Sequence, residues 1–188
     1  VIAQLNPQGQ LTGMVRSTSM NNFAARVRSD FKHAKDSATF VSQKAQEEGL
    51  EITDYQMKDR TSFSPSVCET YSFSKNCEAT SDHIYVNPLV IIPIKENPFT
   101  ATERKLPIEF PYKQSILLNV HITIPEGYIV EEKGNGARIE TPNKEISCNI
   151  KCIVDGKTSF VQYKLDINST FFGVTDYNMV KDVYAKIC

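Results

Sequence analysis

The sequence predicts a mainly β protein, α+β in its first half, built from antiparallel, β-sandwich-like units. Apolar residues alternate with polar ones along short segments, most clearly at 116–124, 146–154 and 161–167, and such alternation is typical of half-buried strands. Turn residues separate these segments at short intervals, as in all-β sandwiches. Apolar spacings of three and four predict one or two helices at about 21–48 and a C-terminal helix at about 174–187.

Length and charge narrow the classes of function. The chain has 188 residues, enough for one ordinary domain or two small ones. Its 21 basic and 22 acidic residues nearly balance, which argues against a nucleic-acid groove or a polybasic membrane patch. The apolar runs are far shorter than the ~20 residues of a membrane-spanning helix, so we expect no membrane span. Because residues 1–4 lack an initiator Met and a signal-peptide pattern, we expect a fragment or a processed chain.

The first half is predicted to combine strands with a helical insertion. Two strands flank a turn at 6–9, and further strands are predicted at 51–58, 66–75 and 84–86. Alternation in the strand at 66–75 puts four residues on one face. That face comprises Val67, Glu69, Tyr71 and Phe73.

The helical insertion at 21–48 contains its own start and stop signals. Asp36 and Ser37 are typical of a second helix start, so we expect either two helices or one kinked helix. Gly49 is typical of the residue that ends a helix. Apolar spacing predicts one buried face, which comprises Phe23, Val27, Phe31, Ala34, Ala38, Val41 and Ala45.

A proline-rich passage separates the two halves. Five of the nine prolines fall within 88–111, and such density disfavours both helix and regular strand pairing. We therefore predict a β-rich subdomain with a helical insertion at 1–96 and an antiparallel, sandwich-like subdomain with a C-terminal helix at 97–188. Within the second subdomain a further strand is expected to start at 128–132, and Asp155 and Gly156 predict a hairpin turn.

The five cysteines are odd in number, so at least one is unpaired within the chain. Cys148 and Cys152 lie four residues apart on one predicted strand, about 13 Å, which is too far for a disulfide; we expect both in the core. Cys68 and Cys77 flank a strand and a turn, and they are either a disulfide pair or two unrelated thiols. Cys188 is the last residue.

Motifs for catalysis or metal binding are missing from the sequence. His33, His83 and His121 have no neighbouring signature of a cysteine–histidine nucleophile. No phosphate-binding glycine loop, Gly-x-Ser-x-Gly elbow or close-spaced zinc ligand set occurs. We therefore expect no catalytic residue, no metal site and no cofactor. A binding module would have to use exposed aromatic residues, for which the sequence, lacking Trp, offers Tyr112, Tyr128 and Phe172.

One ordered set of residues carries a resemblance to a known family. The set begins in the proline-rich passage and continues past the long alternating strand. It comprises Asn87, Pro88, Asn97, Pro98, Phe99, Arg104, Pro107, Phe110, Pro125, Gly127 and Tyr128. This order resembles the C-terminal β-rich domain of unknown function in bacterial transglutaminase-like, papain-related envelope proteins. That family usually continues with Leu-Pro where this sequence has Lys133 and Gly134.

The resemblance implies a non-catalytic role. The catalytic Cys, His and Asp of such proteins lie in a core upstream of this region, so no catalytic residue carries over. The implied location is extracytoplasmic, in the periplasm or cell envelope, and the implied partner is the upstream core. The leading hypothesis is an accessory module that packs on or orients that core, with Asn97 and Arg104 as backbone anchors. The alternatives are a binding module for an envelope polysaccharide or protein and, third, a free-standing cysteine hydrolase.

Overall fold

The computed structural model describes residues 1–61 and 63–188. Strands make up 41% and helices 20% of the chain, so the predicted mainly β class with a C-terminal helix is confirmed. The chain forms two compact units, one of Val1–Pro88 with His121–Ile129 and one of Leu89–Val120 with Val130–Cys188. Among the described residues, no helix combines the length and apolar character needed to cross a membrane.

The elements follow one another in a simple order along the chain. They are β1 (Ile2–Leu5), β2 (Gln10–Met20), α1 (Asn22–His33), α2 (Ser37–Glu48), β3 (Glu51–Lys58), β4 (Ser66–Asn76), β5 (Glu78–Ala79), β6 (Ile84–Tyr85), β7 (Ile108–Glu109), β8 (Gln114–Thr123), β9 (Ala137–Glu140), β10 (Ile146–Asp155), β11 (Thr158–Ile167), β12 (Phe171–Phe172) and α3 (Tyr177–Ile187). The expected strand at 51–58 agrees with β3.

The first unit is a sheet with the strand order β3-β4-β2-β1, antiparallel throughout. The end of β8 adds to β1 in parallel, with His121 opposite Ile2, so the sheet is mixed. The turn between β1 and β2 is held by Asn6, whose side-chain oxygen accepts from the backbone N–H groups of Gln8 and Gln10. Alternate side chains of the strands are buried on the side that α1 and α2 cover.

The helical insertion consists of two helices. Asp36 caps α2 by accepting from the N–H of Thr39 at 2.7 Å, and Gly49 follows α2 in the left-handed region at φ 65°. The predicted single face is wrong in detail, because the chain becomes extended at Ala34 and the helical phase restarts at α2. The buried residues of α1 and α2 are Ala24 and Phe40, neither of which belongs to the predicted face.

The second unit contains the start of β8 and the strands β11, β10 and β9, which pair antiparallel in the β10–β11 and β9–β10 ladders. One face of this sheet is covered by α3 and by the proline-rich segment, not by a second sheet of comparable size. A second sheet is not needed to bury this face, because α3 packs on it with a wide apolar stripe. Its buried residues are Tyr177, Val180, Val183, Tyr184 and Ile187.

Three local expectations need correction. Residues 128–132 form no strand; all five are exposed, and alternation builds a strand only where one face packs. The C-terminal helix begins at Tyr177, after a 3₁₀ turn at Val174–Asp176. Phe172, expected as an exposed aromatic, is 1% exposed. It lies opposite Ile108 in the β7–β12 ladder and packs edge-to-face on Phe110.

Candidate functional site

A cluster of charged and phenolic side chains lies in the first unit between α2 and the sheet, with two members buried and three half-buried. We call it the Lys44 cluster, and its members are Lys44, Glu48, Tyr55, Glu69 and Tyr71. Glu69 is only 2% exposed. Charged residues at such depth are rare unless they are paired, so this cluster is the feature of the first unit that most needs explanation.

The side chains form a closed set of contacts around one ammonium group. Lys44 Nζ lies 3.2 Å from Glu69 Oε1 and 3.4 Å from Glu48 Oε1. The Tyr55 hydroxyl donates to Glu69 Oε1 at 2.7 Å, and the Tyr71 hydroxyl donates to Glu48 Oε2 at 2.6 Å. Lys44 also lies over the Tyr71 ring, 5.6 Å from its centroid, and the two tyrosine rings stack 6.1 Å apart.

Local sequence brings each member to this place. Lys44 and Glu48 follow Phe40 at steps of four, so all three lie on the side of α2 that faces the sheet. Glu69 and Tyr71 are alternate residues of β4 and therefore point the same way. Tyr55 lies in β3, beside an irregularity in the pairing of that strand with β4.

The pairing of β3 with β4 shifts register between Thr53 and Gln56. Asp54 adopts a positive φ of 53° within this bulge. A bulge re-aims the side chains beside it, and here the neighbouring Tyr55 is directed to the same side as Glu69. The bulge therefore completes the cluster from the third strand.

The pKa values of the lysine and of both tyrosines in the cluster are raised. Burial and the hydrogen bond to Glu69 raise the pKa of Tyr55 far above the ordinary phenol value. Burial and the negative charge of Glu48 do the same to the pKa of Tyr71. Burial by itself lowers the pKa of Lys44, but the attraction of Glu69 and Glu48 outweighs it and the pKa is raised. At neutral pH both tyrosines are therefore hydrogen-bond donors and Lys44 is a cation.

The arrangement suits a structural role better than proton transfer. Glu69 already accepts from two donors, and Glu48 accepts from Tyr71 and contacts the same ammonium. A general base must be within hydrogen-bond reach of a substrate proton, whereas these oxygens point at partners inside the unit. The cluster ties α2 to β3 and β4.

Sequence reasoning did not predict this cluster, although one signal for it was present. The alternation at 66–75 put Glu69 on a buried face, and a buried carboxylate implies a cationic or hydroxyl partner. Lys44 could not be matched to it from the sequence. The predicted helical face ran through Val41 and Ala45, and the break at Ala34 rotates the buried face of α2 to include Lys44.

The residues that carry the family resemblance do not gather at one place. In the second unit, the Asn97 amide donates to the backbone oxygen of Lys181 at 3.0 Å, and its oxygen accepts from the N–H of Phe99 at 2.9 Å. Phe99 is buried and packs edge-to-face on Tyr184, with ring centroids 4.9 Å apart. Arg104 is exposed, and its Nε donates to the oxygen of Leu106 only two residues away.

Other members of that set occupy turns and boundaries. In the first unit, the Tyr128 hydroxyl donates to the oxygen of Pro7 at 3.3 Å, and Gly127 takes a positive φ of 83° in the turn after Pro125. Asn87 is exposed and Pro88 ends the first segment of that unit. In the second unit, Pro98 is exposed and Pro107 is half-buried, and Phe110 is half-buried against the core.

All five cysteines are free thiols. Cys68 lies inside β4, and Cys77 directly follows that strand and continues its ladder by donating to the oxygen of Gly9. Nine residues of extended chain span about 30 Å, far beyond the ~7 Å limit for a disulfide. Cys148 is buried, whereas Cys152, expected in the core, is half-buried. Burial raises the pKa of both thiols.

The three histidines are exposed. His33 interacts with Ser29 one turn earlier in α1, and His83 stacks on Tyr85. Within residues 1–61 and 63–188, no group of three or more His, Cys, Asp or Glu side chains is arranged to hold a metal ion.

Two concave surfaces lie in the first unit. One has a volume of about 420 Å³ and runs from the end of α2 to the end of β4, lined by Gly49, Glu51 and Lys75 among others. The second, which we call the α1–α2 cleft, has a volume of about 520 Å³. Its lining comprises Arg28, Phe31, Lys32, Ala34, Lys35, Asp36, Ser37, Arg60 and Thr61.

Comparison with known families assigns the larger part of the chain. Residues 82–188 match the family described as a domain of unknown function with solved structure, DUF3858. The chain belongs to the DUF3858 family. The match contains every residue of the second unit, and it also includes residues 82–88 and 121–129 of the first unit. No curated protein matches the chain, and no solved structure matches it.

Proposed function

We propose that this DUF3858 protein is a non-catalytic accessory module that packs on or orients a transglutaminase-like core of the same protein, in the periplasm or cell envelope. The observation that carries the proposal is an apolar pair on the uncovered side of the first unit's sheet. The choice of the core as the partner is supported by the resemblance of the sequence to the C-terminal domain of transglutaminase-like proteins. The Lys44 cluster is consistent with the proposal, because both of its carboxylates are engaged by Lys44 and by tyrosine hydroxyls of the same unit.

The uncovered side, which we call the open face, is rich in small hydroxyl residues with apolar side chains among them. Ile2 of β1 lies directly opposite Met14 of β2, and they are 69% and 54% exposed. Met20 further along β2 is 57% exposed on the same side. Exposed apolar groups that adjoin on a sheet face are typical of a contact surface.

The test uses the transglutaminase-like segment that the proposal places upstream in the same gene. Titration of that segment with the wild-type chain should give saturable binding, and Met14→Lys should weaken it at least tenfold. Gln43→Lys adds the same charge on the exposed side of α2 and should leave the affinity unchanged. The proposal fails if the gene encodes no such segment, or if both variants bind like the wild type.

A binding module for an envelope polysaccharide or protein is the second candidate. It is favoured by the concave, basic α1–α2 cleft, and by Tyr128, which is 37% exposed. It is weakened by the burial of Phe172. A glycan array supports this candidate if acidic glycans are bound and Lys35→Gln reduces the signal; an array without signal from the intact chain removes the polysaccharide form of it.

A further inference from the structure

We propose that the α1–α2 cleft binds a small ligand that carries two or more oxyanion groups, either carboxylates or phosphates. The cleft lies in the first unit, outside the region that matches DUF3858. It is also separate from the open face, so the inference does not depend on how the chain packs against a core. Four observations lead to it: the positive charge of the lining, the fixed positions of its two arginines, the engagement of its one carboxylate in capping α2, and the volume of the cleft.

The lining holds four basic residues and one acidic residue: Arg28, Lys32, Lys35 and Arg60 against Asp36. The chain as a whole has a formal charge of −1, so this is a local concentration of positive charge. Lys32, Lys35 and Arg60 are exposed, and within the described part of the chain no salt bridge involves them. Positive charge in a concave site focuses the field and attracts anions.

Arg28, on one side of the cleft, is held in a fixed position by three hydrogen bonds to backbone oxygens. Its Nε donates to the backbone oxygen of Asp59, and its Nη2 donates to the oxygens of Ser64 and Ser66 at 2.8 and 2.9 Å. These bonds attach the segment that follows β3 to α1. Because carbonyl oxygens carry no net charge, the guanidinium keeps its full charge beside the cleft. Arg28 is therefore a positioning residue that also contributes to the field.

Arg60, on that attached segment, is held in place by Phe31 of α1. Its guanidinium carbon lies 5.2 Å from the centroid of the Phe31 ring. Stacking on an aromatic face leaves the edge of a guanidinium free to donate, and its planar fork matches the geometry of carboxylate and phosphate. We assign Arg60 as the main ligand-binding residue, with Lys32 and Lys35 supplying further charge.

The single carboxylate in the lining is already committed to a helix. Asp36 Oδ1 accepts from the N–H of Thr39 at 2.7 Å. This hydrogen bond to the backbone of α2 lowers the pKa of Asp36, so it remains an anion serving as the cap. Asp36 therefore offsets part of the positive charge but does not pair with Lys35 or Arg60.

The size of the cleft suits a small ligand. A volume of about 520 Å³ falls within the ~300–1,000 Å³ typical of small-molecule sites. Several cations around one concavity favour a ligand with more than one negative group, since a single carboxylate would leave most of the charge unmatched. Carboxylates and phosphates share the oxygen geometry that the residues recognise, so separate probes must distinguish them.

The experiment is calorimetric titration of the intact chain with pyrophosphate, citrate and acetate at low and high salt. We expect saturable binding of pyrophosphate, citrate or both, little binding of acetate, and affinity that falls with salt. Pyrophosphate alone would assign a phosphate ligand and citrate alone a carboxylate ligand. If neither binds, the proposal is overturned.

The matched variants remove equal charge from different places. Lys35→Gln combined with Arg60→Gln should weaken binding at least tenfold. The control combines Lys58→Gln with Arg16→Gln, both exposed in the same unit and outside the cleft lining, and its affinity should stay within twofold of the wild type. An equal loss in both would show diffuse attraction to the protein surface and would overturn the assignment to the cleft. Unchanged circular dichroism and melting temperature exclude unfolding as the cause of a loss.

Discussion

The ammonium of Lys44 on α2 lies 3.2 Å from the carboxylate of Glu69 on β4, and Glu69 is almost completely buried. Lys44 also contacts Glu48 one turn later in the same helix. One cation is thus shared by two carboxylates, each of which accepts a further hydrogen bond from a tyrosine. The attachment of α2 to the sheet consequently depends on a charge balance as well as on apolar packing.

Removing the cation should be costly. Lys44→Met keeps most of the side-chain volume but leaves Glu48 and Glu69 close together and unneutralised. Breaking a buried ion pair on one side costs about 3–5 kcal/mol, and the partial exposure of Lys44 and Glu48 (20% and 15% of their side chains) reduces the expected loss to about 3 kcal/mol. Urea unfolding followed by circular dichroism measures it.

Neutralising the acids should restore much of that loss. In Lys44→Met combined with Glu48→Gln and Glu69→Gln, the amide oxygens still accept from both tyrosines while no unpaired charge remains. We expect this triple variant to be more stable than Lys44→Met alone. A triple variant as unstable as the single one would show that packing of the lysine stem, and not charge, dominates.

Alkaline pH should destabilise the first unit through its tyrosines. The folded-state pKa values of Tyr55 and Tyr71 are raised, so above the ordinary phenol value of about 10 the unfolded chain loses these protons and the folded chain retains them. The stabilisation is complete below that pH. Each group then lowers the free energy of unfolding by up to about 1.4 kcal/mol per pH unit as the pH rises. Lys44, whose pKa is also raised, acts in the same direction.

The check is the pH dependence of urea unfolding between neutral pH and about pH 11. Tyr55→Phe combined with Tyr71→Phe should be less stable at neutral pH and should show a shallower alkaline decline. The raised pKa values of the cysteines contribute a decline of their own, but that part is common to both proteins. Equal slopes in the two proteins would contradict the prediction.

The strands were predictable because the side of each strand that is buried is visible in its sequence as a short alternation of apolar and polar residues. Alternation placed Val161, Tyr163, Leu165 and Ile167 on one side of β11, and all four are buried. The hairpin turn at Gly156 likewise follows from two residues. Such signals need no knowledge of what packs against the strand.

The Lys44 cluster and the α1–α2 cleft were not predictable, because each depends on distant segments meeting. The phase of α2 depends on where the chain straightens at Ala34, and Tyr55 reaches Glu69 only through a bulge. The cleft needs Arg60 to return to Phe31 across 29 positions of the chain. Composition showed a balanced chain and could not show where its charges collect.

Asn97 should be a specific stabilising residue of the second unit. Its side chain makes two hydrogen bonds to backbone groups, including one to Lys181 in α3. Asn97→Ala leaves these groups unmatched in a half-buried place, and we expect a loss of about 1–3 kcal/mol. Arg104→Ala removes only an exposed local contact and should change stability by less than about 0.5 kcal/mol. Thermal unfolding compares them, and equal losses would contradict the anchor role of Asn97.

Gly13 should tolerate no side chain. It pairs with Ala3, and a Cβ at this position would overlap the backbone oxygen of Ile2 and approach Ala3 Cα to 2.8 Å. Neither contact can relax by rotating a side chain, so Gly13→Ala should cost at least about 2 kcal/mol. In Gly134→Ala the new Cβ meets only the Cys152 sulfur at 3.5 Å, an ordinary contact. That variant should be close to neutral in the same urea titration, and a neutral Gly13→Ala would mean that β1 and β2 are spaced more loosely than described.

Cys68 and Cys77 should remain separate thiols even in an oxidising compartment. β4 is continuous from Ser66 to Asn76, so joining the two sulfurs would require breaking its ladders with β2 and β3. Five thiols per chain should therefore react in denaturant, with and without prior reduction of the air-oxidised protein. Non-reducing peptide mapping provides the second measurement, with Cys68→Ser as the control for peptide assignment. A Cys68–Cys77 peptide recovered from folded protein would show that the native strand ends before Cys77, because only a reversal of the chain between them could bring the sulfurs together.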